Sequence, residues 1–112
     1  IMGLTQEQRA VLATIPEGHR KAITARQLST KLGMSDRVVR SIIQELILDG
    51  HPIGSSVSGR MGYFKINNQE DFNVAIKHLK PRAINIFRRI KALERVAAKK
   101  YDMQMSINEL LA

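Results

Sequence analysis

The sequence predicts a mainly α fold with a small β-wing, an α+β arrangement of one domain with a long C-terminal helical extension. Three observations predict it. Two amphipathic helical stretches, 24–32 and 35–46, are separated only by a turn at Gly33 and Met34. Two short strand-like runs, 53–56 and 62–66, follow and are joined by Ser55-Ser-Val-Ser-Gly-Arg60. Beyond them a heptad pattern takes over: Phe72, Ile76, Leu79, Ala83, Ile86, Ile90, Leu93, Ala97. The expected divisions are 1–66 for the compact domain, 67–100 for the basic extension and 101–112 for a tail.

Each element has a local cause. Thr5 followed by Gln8 makes a capping box, in which each side chain satisfies a backbone N–H of the other residue. A helix over about 6–14 follows, burying Ala10, Val11 and Ile15, and Pro16 and Gly18 end it. Lys21-Ala22-Ile23 is a short strand candidate. Thr24 and Gln27 form a second capping box, and Leu28 and Leu32 lie on one face of the second helix. Gly33 suits the left-handed position after a helix end. Ser35 caps the third helix, and Asp36 complements the positive end of its dipole. Val39, Ile42, Ile43 and Leu46 form its apolar stripe, and Gly50 and Pro52 stop it.

Asn67 or Asn68 caps the next helix, with Glu70 or Asp71 as the reciprocal partner. The period of 3.5 that follows is that of a coiled-coil seam. Pro81 is expected to kink this helix or to begin a second one. In the tail, Ser106-Ile-Asn-Glu109 is a further capping box before a short helix at 107–111.

Composition narrows the function. The 112 residues hold no cysteine, so disulfides and thiolate metal sites are excluded. The chain is 44% hydrophobic and 25% charged, which suits a soluble globular domain. No apolar run spans a membrane and no secretory signal opens the chain, so a bacterial cytoplasm or nucleoid is the expected location. Ile1 reads as extraneous, with Met2 as the expected start. Net charge is +8, and its placement is uneven. Residues 1–76 hold nine Lys/Arg against seven Asp/Glu, whereas 77–100 hold nine against Glu94 alone. Such a cationic segment favours a polyanion.

The stretch 24–66 resembles the winged helix-turn-helix at the N-terminus of bacterial biotin ligase-repressors. The Leu32-Gly-Met-Ser35 turn leads into a third helix, and a Gly62-Tyr63 strand closes a wing. A small residue near the helix crossing (Ser29) fits the same pattern. No ligase domain follows Gly62. The whole chain is similar instead to small phage or prophage winged-helix proteins with a long basic helix. The resemblance implies a double-stranded DNA-binding protein whose third helix reads the major groove. On it, Ser35, Asp36, Arg37, Arg40, Ser41 and Gln44 are the candidate contacts; Arg37, Arg40 and Gln44 are spaced to share one face. Arg can make two hydrogen bonds to guanine and Gln two to adenine. Thr24, Arg26 and Lys31 are phosphate candidates, as are Ser56 and Ser58 in the wing, with Arg60 as its minor-groove candidate.

The extension offers Arg88, Arg89, Arg95 and Lys99 for phosphates. Its seam of Leu79, Ala83, Ile86, Ile90, Leu93 and Ala97 suits a homodimer, against the plainer reading of a helix folded back on the domain. The implied role is transcription regulation or origin-binding in DNA replication. A protein-interaction adaptor of a replication or packaging complex is the alternative, with the tail (Met103, Met105, Ile107, Leu110, Leu111) docking the partner. Single-strand or RNA binding through Tyr63 and Phe64 is another. His19, His51 and His78 lack metal-ligand spacing and read as loop or surface histidines. No catalytic constellation, metal site or cofactor motif is present in the sequence, so no enzyme activity is expected.

Overall fold

The computed structural model describes residues 3–101. It is mainly helical, with one two-stranded antiparallel sheet and a long C-terminal helix. In order come α1 (Gln6–Thr14), a 3-10 turn (His19–Lys21), α2 (Ala25–Leu32), α3 (Asp36–Leu48), β1 (Ile53–Ser56), β2 (Gly62–Lys65) and α4 (Gln69–Tyr101). The chain divides into two compact units, one ending at His78 and the other beginning at Leu79. The division therefore falls within α4, later than the sequence suggested.

The helix starts are where the caps place them. Thr5 and Thr24 each accept a hydrogen bond from the backbone N–H three residues on, and Gln8 and Gln27 return it. Ser35 accepts from the Val38 N–H and caps α3. Gly33 ends α2 with φ of 67°, a left-handed conformation that a side chain disfavours. In the turn the Ser29 hydroxyl donates to the Met34 carbonyl, which closes the corner between α2 and α3.

The main core is one cluster: Val11 from α1 and Ile15 just after it, Ala25 and Leu28 from α2, and Val39, Ile42, Ile43 and Leu46 from α3. Ile23 and Ile53 complete it, with Leu32 and Met34 packed at its margin. Burying one such aliphatic side chain contributes about 1.5–3 kcal/mol. The stripe spacing thus supplies most of the force that holds the three helices together.

β1 and β2 pair from Ile53 opposite Lys65 to Ser56 opposite Gly62. The other edge of β2 is covered by the segment after α1. Ile23 and Tyr63 exchange backbone hydrogen bonds of 2.9 and 2.6 Å, and the Lys65 N–H donates to the Pro16 carbonyl at 2.7 Å. Lys21-Ala22-Ile23 is therefore not a strand. Lys21 ends the 3-10 turn, and only Ile23 forms a bridge. Gly62 is required at this crossing: a Cβ there would overlap the Ile23 carbonyl group, and φ is 127°.

The first turns of α4 dock through a small residue. Ala75 joins Phe64 and Ala22 in a second buried cluster. A Cβ on Gly54 would approach the Ala75 Cβ to 2.7 Å, so the glycine lets helix and hairpin meet. The heptad seam does not supply this contact, for Phe72, its first member, is 47% exposed. Pro81 lies inside α4 rather than at the start of a further helix. The tail's expected helix and docking residues lie outside the described residues.

Candidate nucleic-acid interface

α3 is split cleanly by burial. Val39, Ile42, Ile43 and Leu46 are buried, whereas Arg37, Arg40, Ser41 and Gln44 are exposed. This separation follows from the helical period, because residues three and four apart share a face. Ser35 is exposed and Asp36 half-buried in the first turn. Arg37, Arg40 and Gln44 thus present donors in one row. Neither arginine is in an ion pair among the described residues.

A second group of cations gathers around an open cleft of about 670 Å³. Lys21, Arg26, Lys31 and Arg60 line it, with Thr24 and Thr30 beside them and Ile23 and Pro16 as apolar wall. No carboxylate is among the lining residues. Sequence reasoning found Arg26, Lys31 and Thr24 but missed Lys21 and Thr30. The strand-like pattern at Lys21 hid that the 3-10 turn leaves its side chain exposed.

Two residues of the segment joining β1 and β2, expected as a wing, have a different place from the one expected. Ser56 is buried, and its hydroxyl donates to the Ser58 carbonyl at 2.8 Å and accepts from the Ser58 N–H at 3.4 Å. It shapes the loop from within, so its hydroxyl is already committed and it drops out as a phosphate candidate. The Arg60 Nε donates to the Ala22 carbonyl at 2.9 Å, which fastens the end of the β1–β2 loop to the segment before α2. Arg60 therefore joins the cleft cations instead of standing alone at the loop tip. Ser58 remains exposed.

Tyr63 and Phe64 do not form an exposed stacking pair. Phe64 is fully buried, and Tyr63 packs half-buried against the main core. Alternation along the strand sends them to opposite faces.

His19 is no mere surface histidine. Its Nδ1 lies 2.6 Å from Oδ1 of Asp71, and its backbone N–H donates to the same oxygen at 3.1 Å. An ionised carboxylate only accepts, so Nδ1 carries the proton. The other Asp71 oxygen accepts from the Asn67 N–H at 3.0 Å, and Asn68 caps the helix by accepting from the Asp71 N–H. Asp71 is buried, yet its carboxyl is held below the usual range, chiefly by the His19 side-chain hydrogen bond. Burial opposes that shift and the Asn67 and His19 amides assist it. Of the expected caps, Asn67 or Asn68 with Glu70 or Asp71, the structure uses Asn68 and Asp71; His19, 52 positions from Asp71, carried no local signal.

In the second unit, Arg88, Arg89, Arg95 and Lys99 are exposed along α4. Of its seam, Leu79, Ala83, Ile86 and Leu93 are exposed, and Ile90 and Ala97 are half-buried. Among the described residues no group of three His, Asp or Glu is placed to hold a metal ion. None of their helices is long and apolar enough to cross a membrane.

Comparison with family models, curated proteins and solved structures yields no match in any of the three.

Proposed function

We propose that this chain is a sequence-specific double-stranded DNA-binding protein with a winged helix-turn-helix fold. One observation carries the reading: a helix whose buried stripe fixes it to the core while Arg37, Arg40 and Gln44 stand exposed in a row. In this reading α3 enters the major groove. Arg37 and Arg40 meet guanine edges and Gln44 meets adenine. The cleft cations Lys21, Arg26, Lys31 and Arg60 take backbone phosphates, which fix register without specifying sequence. Occupancy of its site would then regulate transcription or assist origin-dependent replication, in a phage or prophage setting.

The test is selection from a random duplex pool at near-physiological salt, followed by sequencing. An enriched motif supports the reading. Replacing Arg40 with Ala should then cost about 1–3 kcal/mol on the selected site and much less on unrelated duplex. Equal losses on both would remove Arg40 from base readout. Retention of DNA with no enriched motif would overturn sequence specificity.

A further inference from the structure

We propose that the second unit pairs with a second copy of this chain as a parallel two-stranded coil along 79–97, in a register fixed by Arg89 and Glu94. Such pairing goes beyond DNA binding and does not depend on it.

The seam is the first ground. Leu79, Ile86 and Leu93 alternate with Ala83, Ile90 and Ala97 at steps of four and three. Leu93 is 69% exposed, and Leu79 and Ile86 are about half exposed. Within this unit such a stripe has no covering partner among the described residues that would explain a strict period of 3.5. Ile90 at a first core position, followed by Leu93 at the second, is the pairing that favours two strands, whereas Ile86 stands at the second core position before it.

Charge placement is the second ground, and it resolves an obstacle. So cationic a helix should repel its own copy. The heptad positions show where the charges go. Arg88 and Arg95 fall diametrically opposite the seam, and Lys91 and Lys99 fall on its outer flanks. The positions that border the seam hold Lys80, Arg82, Phe87, Arg89, Glu94 and Val96. In a parallel pair, each residue preceding a first core position faces the residue five further along in the other strand. Arg89 then faces Glu94 of the second copy, twice over by symmetry. Phe87 and Val96 widen the apolar strip.

The antiparallel alternative is worse. Centred on the same seam, it sets Lys80 against Glu94 but also Arg89 against Arg89 of the other copy. The only acid in the segment 77–100 thus stands where parallel pairing needs it. Within its own helix Glu94 makes an ion pair with Lys91, 3.7 Å between Nζ and Oε1, and that oxygen has no hydrogen bond among the described residues.

Parallel pairing leaves Arg88, Arg95 and Lys99 on the outside and takes Arg89 into the interface. It thereby divides four cations that look equivalent in the sequence.

The test uses the full chain without DNA. Sedimentation equilibrium across the micromolar range should show a concentration-dependent dimer. Arg89→Glu should weaken it by about 3- to 30-fold, as two bordering ion pairs become repulsive. Arg88→Glu, the same charge change one residue away, should not weaken it. Arg89→Glu combined with Glu94→Arg should restore it. Because the chain has no cysteine, Ala83→Cys gives a single thiol, which should form an intermolecular disulfide on oxidation. A monomer at all concentrations overturns the proposal. So does equal weakening by the two charge reversals, or cross-linking of Ala83→Cys to Leu93→Cys in a mixture in preference to itself. None of these outcomes bears on the selected-duplex experiment, so failure of pairing and failure of DNA binding are separable.

Discussion

Replacing Asp71 with Ala should destabilise the first unit more than any other polar substitution in it. The carboxylate receives the His19 N–H, the His19 Nδ1–H and the Asn67 N–H. A hydrogen bond to a charged group is worth about 1.5–3 kcal/mol. Asn67 is exposed and the His19 ring partly so, and water can replace part of what they lose. The sum is therefore well below three full bonds, about 2–4 kcal/mol. That is a large part of the roughly 5–15 kcal/mol available to a domain. At about 4 °C per kcal/mol for a chain of this size, the midpoint should fall by about 8–16 °C. Thermal and urea unfolding followed by circular dichroism would read it. A change under about 0.5 kcal/mol, the range of ordinary surface substitutions, would refute the assignment of Asp71 as the link between the 3-10 turn and α4.

The same link should show in the pH dependence of stability. The folded carboxyl is held below its ordinary value, mainly by His19. The unfolded chain therefore binds the proton first as pH falls. The stabilisation is complete above the unfolded value of about 3.9 and is lost as pH drops through the lower, folded value. The stability gap between native and Asp71→Ala proteins should thus narrow progressively as pH falls from the unfolded value through the folded one. A gap that persists unchanged into acid would mean that the charge of Asp71 contributes nothing.

Three further outcomes are expected. Gly62→Ala should cost about 2–4 kcal/mol, combining backbone overlap at Ile23 with a left-handed φ, measured by urea unfolding. Ser56→Ala should lower stability by about 1 kcal/mol as its loop hydrogen bonds disappear. The same variant should leave the salt slope of DNA affinity unchanged, which separates loop shaping from phosphate binding. On the proposed DNA-binding reading, replacing Arg88 and Arg95 together should reduce the slope of log affinity against log salt by about one for each phosphate no longer neutralised. An unchanged slope would take the basic helix out of the interface.

The parts of this fold legible in the sequence are those set by short range. Thr5 with Gln8 and Thr24 with Gln27 announce helix starts because both partners lie within one turn. Val39, Ile42, Ile43 and Leu46 announce a face because period alone decides which side is buried. What was missed depends on distant pairs. His19 is adjacent to nothing in sequence that marks it as the partner of Asp71. Lys21 was hidden by a strand pattern that the 3-10 turn overrides. Ser56 reads as one more loop serine until the pairing of β1 with β2 turns it inward. For the same reason the candidate contacts on α3 emerged on the expected face, while those of the wing had to be reassigned.

The use of charge in the two units supports treating the cations as binding groups. Among the described residues of the first unit, the acids in close contact with basic side chains are Glu70 and Asp71, Glu70 with Arg20 and both with His19, at the start of α4. Arg26, Lys31, Arg37, Arg40, Arg60 and Lys21 make no ion pair among the described residues. The Arg60 side chain donates to the Ala22 carbonyl, a backbone acceptor that leaves its charge uncompensated. An exposed pair would contribute at most about 1 kcal/mol, so stability gives little reason to hold six cations on α2, α3 and the segments beside them. A polyanion gives a stronger one, because every phosphate neutralised releases a condensed counterion. Arg60 ties the β1–β2 loop to Ala22 through its Nε, and among the described residues no such tie is made by the charged ends of the other five, which leaves them available for a partner.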